Sequence, residues 1–211
     1  MAARPAVRAR ARPRRRRTHA ERTAETRTRL IEAVVESIAE LGMQRATAQV
    51  IVARAGITWG AVQHHFRGKD GLLLAVLEDS FARFAERMRD VRPGLSLEDR
   101  VGLFVDRAWA HFSSRHYRST FEILRNFLGR EEHRGGDWRD QMQGAWDGVW
   151  SRIFSDARPS RRRSLMLQHY TVATLSGLAS TLMLEGSHAV LPKWELELLK
   201  GTLVRELARA E

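Results

Sequence analysis

Apolar residues recur at intervals of three and four positions along most of the chain, and no stretch alternates apolar and polar residues as a half-buried strand does. A first run of this kind predicts an amphipathic helix over residues 22–41, which Gly42 ends. Its apolar positions are Leu30, Val34, Ile38 and Leu41. The pattern therefore predicts an all-α protein.

The stretch from Thr47 to Lys69 predicts two short helices joined by a tight turn. Gly56 lies where the end of the first helix needs a left-handed backbone, which glycine adopts without a clash because it has no Cβ. Thr58 is placed to cap the second helix, which buries Val62 and Phe66. A helix pair of this kind is typical of the helix-turn-helix unit, in which the second helix enters the major groove of DNA. The alternative is a structural helix pair, since glycine-containing turns also join helices in all-α proteins that do not bind DNA.

Six longer helices are predicted after this unit. One begins at residue 69 and is stopped by Pro93-Gly94, and the others cover residues 96–114, 117–128, 138–154, 160–185 and 192–210. The EEHRGG segment, residues 131–136, is predicted to be a loop. The chain thus contains about nine helices, and no internal repeat is visible.

The amino-acid composition excludes several kinds of site. The chain of 211 residues has no cysteine, which excludes disulfides, thiolate zinc sites and cysteine nucleophiles and is consistent with a cytoplasmic location. No apolar run approaches the roughly 18 residues that a membrane-spanning helix needs. The net charge of +11 favours polyanionic partners.

Most of the excess charge lies in the first 17 residues. They contain eight arginines and no acidic residue, which leaves 28 basic and 25 acidic residues, a net +3, in the rest of the chain. Residues 1–17 have almost nothing to bury and are predicted to be a disordered arm. The arm either follows phosphates and enters the minor groove of DNA, or is a solvated tail that raises non-specific affinity only.

The last two predicted helices have an unusual distribution of side chains. The first carries small residues on one face, and the second carries two apolar stripes, one of them formed by Leu199, Leu203 and Leu207. A helix with two apolar stripes needs two partners, one inside its own subunit and one outside. The alternative is that one stripe is less completely buried core. The residues of the predicted outer interface are Ala173, Ser176, Gly177, Ser180, Trp194, Leu198, Gly201 and Arg205.

Many residues between Leu30 and Leu77 match one known pattern at fixed spacing. The matching residues are Leu41-Gly42, Thr47, Ile51, Arg54-Ala55-Gly56-Ile57-Thr58, Gly60-Ala61-Val62, His64-His65-Phe66 and Gly68-Lys69-Asp70-Gly71-Leu72-Leu73. In these residues the sequence resembles the N-terminal domain of the tetracycline-repressor (TetR) family of transcriptional regulators. It departs from the family at Gln63, where the family usually has a tyrosine that contacts phosphate. The rest of the chain is similar only in length and helical character.

The resemblance implies a dimer that binds DNA. In the family the last two helices pair with their copies in a four-helix bundle, and two recognition helices then lie about 34–36 Å apart, one turn of DNA. We expect contacts with bases and the nearby backbone from Thr58, Trp59, Gly60, Gln63 and His64. We expect phosphate contacts from Thr47, Gln49, Arg67 and Lys69.

The second half of the chain is rich in aromatic residues and methionine, which predicts an apolar cavity for an effector. An ordinary helical core has the same composition, so that alternative stays open. The predicted cavity residues are Trp109, Phe112, Phe121, Trp146, Trp150, Met166, His169 and Tyr170. The resemblance implies that a small apolar ligand favours a conformation in which the recognition helices lose the spacing of the half-sites.

These observations lead to one interpretation and two alternatives. Residues 1–17 form the arm, residues 18–68 a helix-turn-helix DNA-binding domain, and residues 69–211 a helical domain for ligand binding and dimerisation. The predicted function is a cytoplasmic transcriptional repressor that binds a palindromic operator as a homodimer and is released by a small molecule. It is not an enzyme and has no cofactor or membrane partner. The first alternative is a DNA-binding protein without an effector that is dominated by the arm.

The second alternative is a helical metalloenzyme. Glu185-x-x-His188 has the spacing of one half of a carboxylate-bridged di-iron site. The sequence contains no second pair of this kind, so no metal site is predicted.

Overall fold

A computed structural model describes residues 18–127, 137–157, 159–185 and 190–209. These residues form nine helices and no strand beyond an isolated bridge between Pro93 and Leu95. The helices are α1 (His19–Leu41), α2 (Ala48–Ala55), α3 (Trp59–Phe66), α4 (Lys69–Arg87), α5 (Leu97–Phe112), α6 (Arg115–Phe127), α7 (Asp137–Ile153), α8 (Arg161–Glu185) and α9 (Lys193–Ala208). The all-α prediction is confirmed. The predicted arm, the EEHRGG loop and His188 lie outside the described residues.

Helix α1 begins three residues before the predicted start at residue 22. The cause is a capping box, in which the Thr18 hydroxyl accepts from the Glu21 amide at 3.2 Å. In return the Thr18 amide donates to the Glu21 carboxylate at 2.7 Å. Two backbone N–H groups that would lack a partner are thereby satisfied, which extends the helix to His19.

Helix α4 ends at Arg87, so the prediction that it continues to Pro93-Gly94 was wrong. The cause is a residue of α7, which the local sequence cannot reveal. The Arg152 guanidinium donates to the carbonyls of Met88 and Val91, both at 2.9 Å, and to that of Arg89 at 3.3 Å. These carbonyls gain a charged donor, which replaces the next helical turn.

The buried apolar residues form two cores. The first is built by α1, α2, α3 and the N-terminal half of α4, up to Leu77, with Ile123 from α6. The second starts with Phe84 in the C-terminal half of α4 and includes α5, α7, α8 and α9. Helix α6 contributes to both, because Tyr117 is buried in the second core while Ile123 is buried in the first.

A buried arginine fixes the position of α7. Arg100 of α5 is almost fully buried, and its guanidinium donates to both carboxylate oxygens of Asp156, at 2.6 and 2.8 Å. It also donates to the Ile153 carbonyl at the end of α7, at 3.0 Å. The bond from Arg100 lowers the pKa of Asp156, so the pair is ionised at neutral pH. The aromatic residues of α7 are therefore held in a fixed place against α5.

Candidate functional site

The helix-turn-helix unit has the geometry that the sequence predicts. Thr47 caps α2 by accepting from the Val50 amide at 3.3 Å. Gly56 ends α2 in the left-handed conformation, with φ 61° and ψ 39°. Val62 and Phe66 of α3 are buried in the first core, as predicted. The two buried residues fix which face of α3 is turned outward.

The residues proposed to contact bases lie together on the outer side of α3. Thr58, Trp59, Gly60, Gln63 and His64 are all exposed. One detail differs from the prediction, since the Thr58 hydroxyl makes no capping bond with α3 although its backbone is in the capping conformation. The hydroxyl of Thr58 has no partner among the described residues, and it lies beside the face that is predicted to contact bases.

The residues proposed to contact phosphates surround this face. Thr47, Gln49 and Arg67 are exposed, and Lys69 is half-buried at the start of α4. Arg67 ends α3 with a positive φ of 59°, and it is the one non-glycine residue with this conformation in the described part of the chain. A left-handed backbone costs a non-glycine residue about 1–2 kcal/mol. Strain of this kind is typical of functional positions.

Two arginines of α1, which the sequence did not single out, hold the helix-turn-helix unit in place. Arg29 donates to the Ala55 carbonyl at the end of α2, at 2.5 Å. Arg27 lies over the Phe66 ring, 5.1 Å from its centroid, and forms an ion pair of 3.1 Å with Glu78 of α4. Nothing in their local spacing distinguishes these arginines from other basic residues on a solvated helix face.

A chain of ion pairs links the helix-turn-helix unit to α6. Arg54 of α2 pairs with Glu36 at 3.2 Å and with Glu40, and Glu40 also pairs with Arg115 of α6 at 3.1 Å. The hydrogen bond from Arg54 lowers the pKa of Glu40. Arg54 is thereby occupied within the subunit. The same helix α6 is tied to α1 by the Ser119 hydroxyl, which donates to the Val35 carbonyl at 2.8 Å.

A cavity of ≈ 150 Å³ lies between the helices of the second half. Its wall is mainly apolar and aromatic. The lining residues are Leu77, Ser80, Phe81 and Phe84 from α4, His111 and Phe112 from α5, Tyr117, Thr120 and Leu124 from α6, Met142 and Trp146 from α7, and Val172 from α8. A second pocket of ≈ 180 Å³ adjoins it and shares Leu77, Phe81 and Met142 with it.

The structure brings only part of the predicted cavity set to this cavity. Phe112 and Trp146 line it. Trp150 does not line it and is fully buried, with ring contacts to Phe104 and Phe154. The other predicted residues do not line it: Trp109 and Phe121 are half-buried against the second core, and Met166, His169 and Tyr170 are exposed on α8.

The polar residues on the cavity wall were missed by the sequence analysis. They are Ser80, His111, Tyr117 and Thr120. A single serine or histidine on an apolar helix face has the same pattern in a cavity wall as in a closed core. No local feature of the sequence separates the two cases.

The predicted outer interface is an exposed face in the single chain. Trp194 is 86% exposed and Leu198 is 69% exposed, with Gly201 and Arg205 exposed on the same side of α9. The opposite stripe of Leu199, Leu203 and Leu207 is buried, as predicted. On α8, Ala173 and Gly177 are exposed and Ser180 is half-buried, whereas the Ser176 hydroxyl lies 2.9 Å from the Tyr117 hydroxyl on the cavity side.

The described residues contain no group of three or more His, Asp or Glu side chains placed to hold a metal ion. None of the described helices combines the length and the apolar character needed to cross a membrane.

The chain has an exposed recognition helix on a helix-turn-helix core, and a helical domain with its own cavity follows. These features are typical of the helix-turn-helix transcriptional regulators. The sequence profile of the bacterial regulatory proteins, tetR family, matches residues 30–76. The regulator BetI of Escherichia coli K12 is 30% identical over an alignment 179 residues long, which covers 68% of this chain and 91% of that protein. BetI of E. coli strain UMN026 is 30% identical over an alignment 165 residues long, which covers 63% of this chain and 84% of that protein.

Solved structures show the same fold. The regulator FadR of Bacillus subtilis, in complex with stearoyl-CoA, superposes with a TM-score of 0.64 at 16% identity, over 86% of this chain and 97% of that chain. A putative transcriptional regulator of Pseudomonas aeruginosa PAO1 gives a TM-score of 0.66 at 23% identity, over 92% and 93% of the two chains. The chain belongs to the TetR family and is a DNA-binding transcriptional regulator.

Proposed function

We propose that the protein is a homodimeric repressor that binds a palindromic operator and releases it when a small apolar molecule enters the cavity. Residues 18–68 read the DNA, and residues 69–211 bind the effector and form the dimer. The first half of α4, which belongs to residues 69–211, also packs in the core of the DNA-binding part. The bacterial regulators that resemble this chain support the assignment of DNA binding.

The division between base and phosphate contacts follows the exposed faces. Thr58, Trp59, Gly60, Gln63 and His64 stand on the side of α3 that would enter the major groove. Thr47, Gln49, Arg67 and Lys69 flank it and carry donors or positive charge toward the backbone. Gly68 provides no side-chain cap at the α4 N-terminus, and the N-terminus of a helix favours a phosphate. Base contacts set the sequence, and phosphate contacts set the register.

The proposed dimer uses the exposed side of α8 and α9. Ala173, Gly177, Ser180, Trp194, Leu198, Gly201 and Arg205 are assigned to it, and Ser176 stands at its inner border. An indole as exposed as that of Trp194 is unusual for a side chain that gains most from burial. A two-fold axis through this face would place the same residues of both subunits against each other.

One observation carries the proposed response to a ligand: the cavity and the reading part share residues. Leu77 of α4 and Leu124 of α6 line the cavity, and both pack in or against the first core. Helix α6 also holds α1 through Ser119 and through the Arg115–Glu40 ion pair. A ligand that moves α4 or α6 therefore moves the support of α3.

The energetic requirement is modest. An effector lowers operator affinity tenfold when its own affinity differs by about 1.4 kcal/mol between the two conformations. B. subtilis FadR, which has this fold, was solved with stearoyl-CoA bound, and this supports a cavity that accepts a ligand. Phe112, Trp146 and the other lining residues are the proposed contacts. Trp109, Phe121, Trp150, Met166, His169 and Tyr170 are not assigned to this cavity.

The test starts with operator selection. Full-length protein is used to enrich sites from a random double-stranded pool, and affinity for the winner and for scrambled DNA is measured over a salt series. The proposal expects a palindrome with half-sites one turn apart that keeps its preference as salt rises. A small-molecule library is then screened for operator release. Enrichment without a palindrome, or equal salt sensitivity for both DNAs, would refute the repressor assignment in favour of non-specific binding.

A further inference from the structure

Three side chains on the cavity wall carry a polar group without a hydrogen-bond partner among the described residues: Ser80, His111 and, at its indole N–H, Trp146. Ser80 is 2% exposed and His111 is 7% exposed, and both line the cavity. The other two polar residues of the wall are satisfied within the chain, because the Tyr117 hydroxyl pairs with Ser176 and Thr120 donates to the His116 carbonyl. Buried polar groups are nearly always hydrogen-bonded, so several unpartnered groups in one cavity point to a ligand that bonds them.

The walls around Ser80 and His111 are flat rings. The Phe84 and Trp146 rings are stacked, with centroids 4.8 Å apart and planes inclined by 18°. The Phe112 and Tyr117 rings lie 4.5 Å apart. Aromatic walls favour an aromatic guest, and a volume of about 150 Å³ is enough for a benzene ring. The volume therefore fits one ring with a short substituent.

The charge around the cavity excludes ionised guests. No Asp, Glu, Lys or Arg is among the described residues that line it. Burial, together with smaller effects of the nearby Arg87 and His116, lowers the pKa of His111 to about 4, so the ring is neutral at pH 7. No described residue of the cavity wall supplies a counter-charge for a carboxylate or an ammonium group, so burying either ion there would cost free energy. Glu78 lines only the adjoining pocket, where Arg27 pairs with it at 3.1 Å.

We propose that the cavity takes an uncharged molecule with one aromatic ring and a hydroxyl or carbonyl group, which Ser80 and His111 recognise by hydrogen bonds. The inference rests on the proposed function, in which this cavity holds the effector. The Ser80 hydroxyl donates or accepts, and a neutral imidazole has one donor and one acceptor nitrogen. The ring of the guest packs between the aromatic walls.

Three probes of equal size and different charge test the assignment: benzyl alcohol, benzoate and benzylammonium. Their dissociation constants from the full-length protein are measured by ligand-observed NMR titration at neutral pH. We expect benzyl alcohol to bind at least tenfold more tightly than either ion. Equal or tighter binding of benzylammonium, which the aromatic walls would favour through cation–π contact, overturns the proposal. So does equal binding of benzoate, or binding of none of the three.

Matched variants locate the contacts. Ser80→Ala and His111→Phe should each raise the dissociation constant of benzyl alcohol at least threefold, since each removes a hydrogen bond. Ser37→Ala is the control, because Ser37 is also buried without a partner but lies on α1, away from the cavity. Its binding should equal that of the wild type. Unchanged binding by Ser80→Ala and His111→Phe contradicts the assignment.

Operator affinity is recorded separately in the same titrations. Selective binding of benzyl alcohol that leaves operator affinity unchanged would refute the proposed release mechanism while the ligand assignment holds. Release of the operator by an ionised effector that needs neither Ser80 nor His111 would refute the ligand assignment while the proposed release mechanism holds. The two proposals thus fail in different measurements.

Discussion

Replacing Trp194 with alanine tests the dimer on which the proposed function depends. The indole is 86% exposed in the single chain, so about 200 Å² of its surface is available for burial. At about 25 cal/mol per Å² this gives an upper limit of roughly 5 kcal/mol for each copy. Replacing a central aromatic residue of an interface with alanine typically weakens binding by about 2 kcal/mol or more. This is less than the upper limit because part of the gain from burial offsets the entropic cost of association. The two copies in a symmetric dimer should therefore lose about 4 kcal/mol in total.

A loss of this size raises the dimer dissociation constant about a thousandfold. Sedimentation equilibrium over a concentration series measures it directly, without DNA. Leu95→Ala is the control, since Leu95 is 43% exposed but lies between α4 and α5 and is not part of the proposed interface. Operator binding by Trp194→Ala should also become second order in protein concentration. An unchanged dissociation constant for Trp194→Ala, or a wild-type protein that stays monomeric at micromolar concentration, would show that this face is not the interface.

Three other predictions follow from the site. Gln63→Ala should lower affinity for the selected operator by ~1–3 kcal/mol relative to variant operators, whereas Lys69→Ala should weaken all sequences alike, as fluorescence anisotropy will show. Gly56→Ala should destabilise the fold by about 1–2 kcal/mol in thermal unfolding because φ is 61° there, while Gly102→Ala, with open space around it, should not. The folded-state pKa of His111 is about 4, below the usual 6.5, so the unfolded chain binds a proton at this residue more readily than the folded chain does. The free energy of unfolding should therefore be unaffected by His111 above pH 6.5 and should fall by up to about 3 kcal/mol as the pH drops to 4. His111→Phe should remove that part of the pH dependence in denaturant titrations.

The local pattern predicts which helices form and which of their faces are buried. Val62, Phe66 and the Leu199–Leu203–Leu207 stripe were assigned correctly because helical periodicity alone decides their burial. The end of α4 was predicted wrongly, because it depends on Arg152, which lies more than 60 residues after Met88 and Val91 in the chain. The effect of Arg152 depends on how α7 crosses α4. A donor at that distance leaves no trace in the residues around Pro93.

The cavity wall shows the same limit. Trp109 and Phe112 share a side of α5, yet only Phe112 reaches the cavity, because the crossing of α5 with α4 and α6 decides which of them does. Ser80 and His111 were passed over since their helix positions are those of core residues. Periodicity gives the face of a helix, while the angles between helices decide where space is left.

The double membership of α6 limits how the chain can be divided. Ile123, which is buried among residues of α1–α4, comes from a helix that begins more than 25 residues after α4 ends. A fragment cut after α4 would leave an unfilled hole under α1, and the Val35 carbonyl would lose the Ser119 hydroxyl. A fusion of this DNA-binding part to another ligand-binding domain should therefore include α6. Otherwise the new domain must supply a side chain that fills the space of Ile123 and a hydroxyl that replaces that of Ser119.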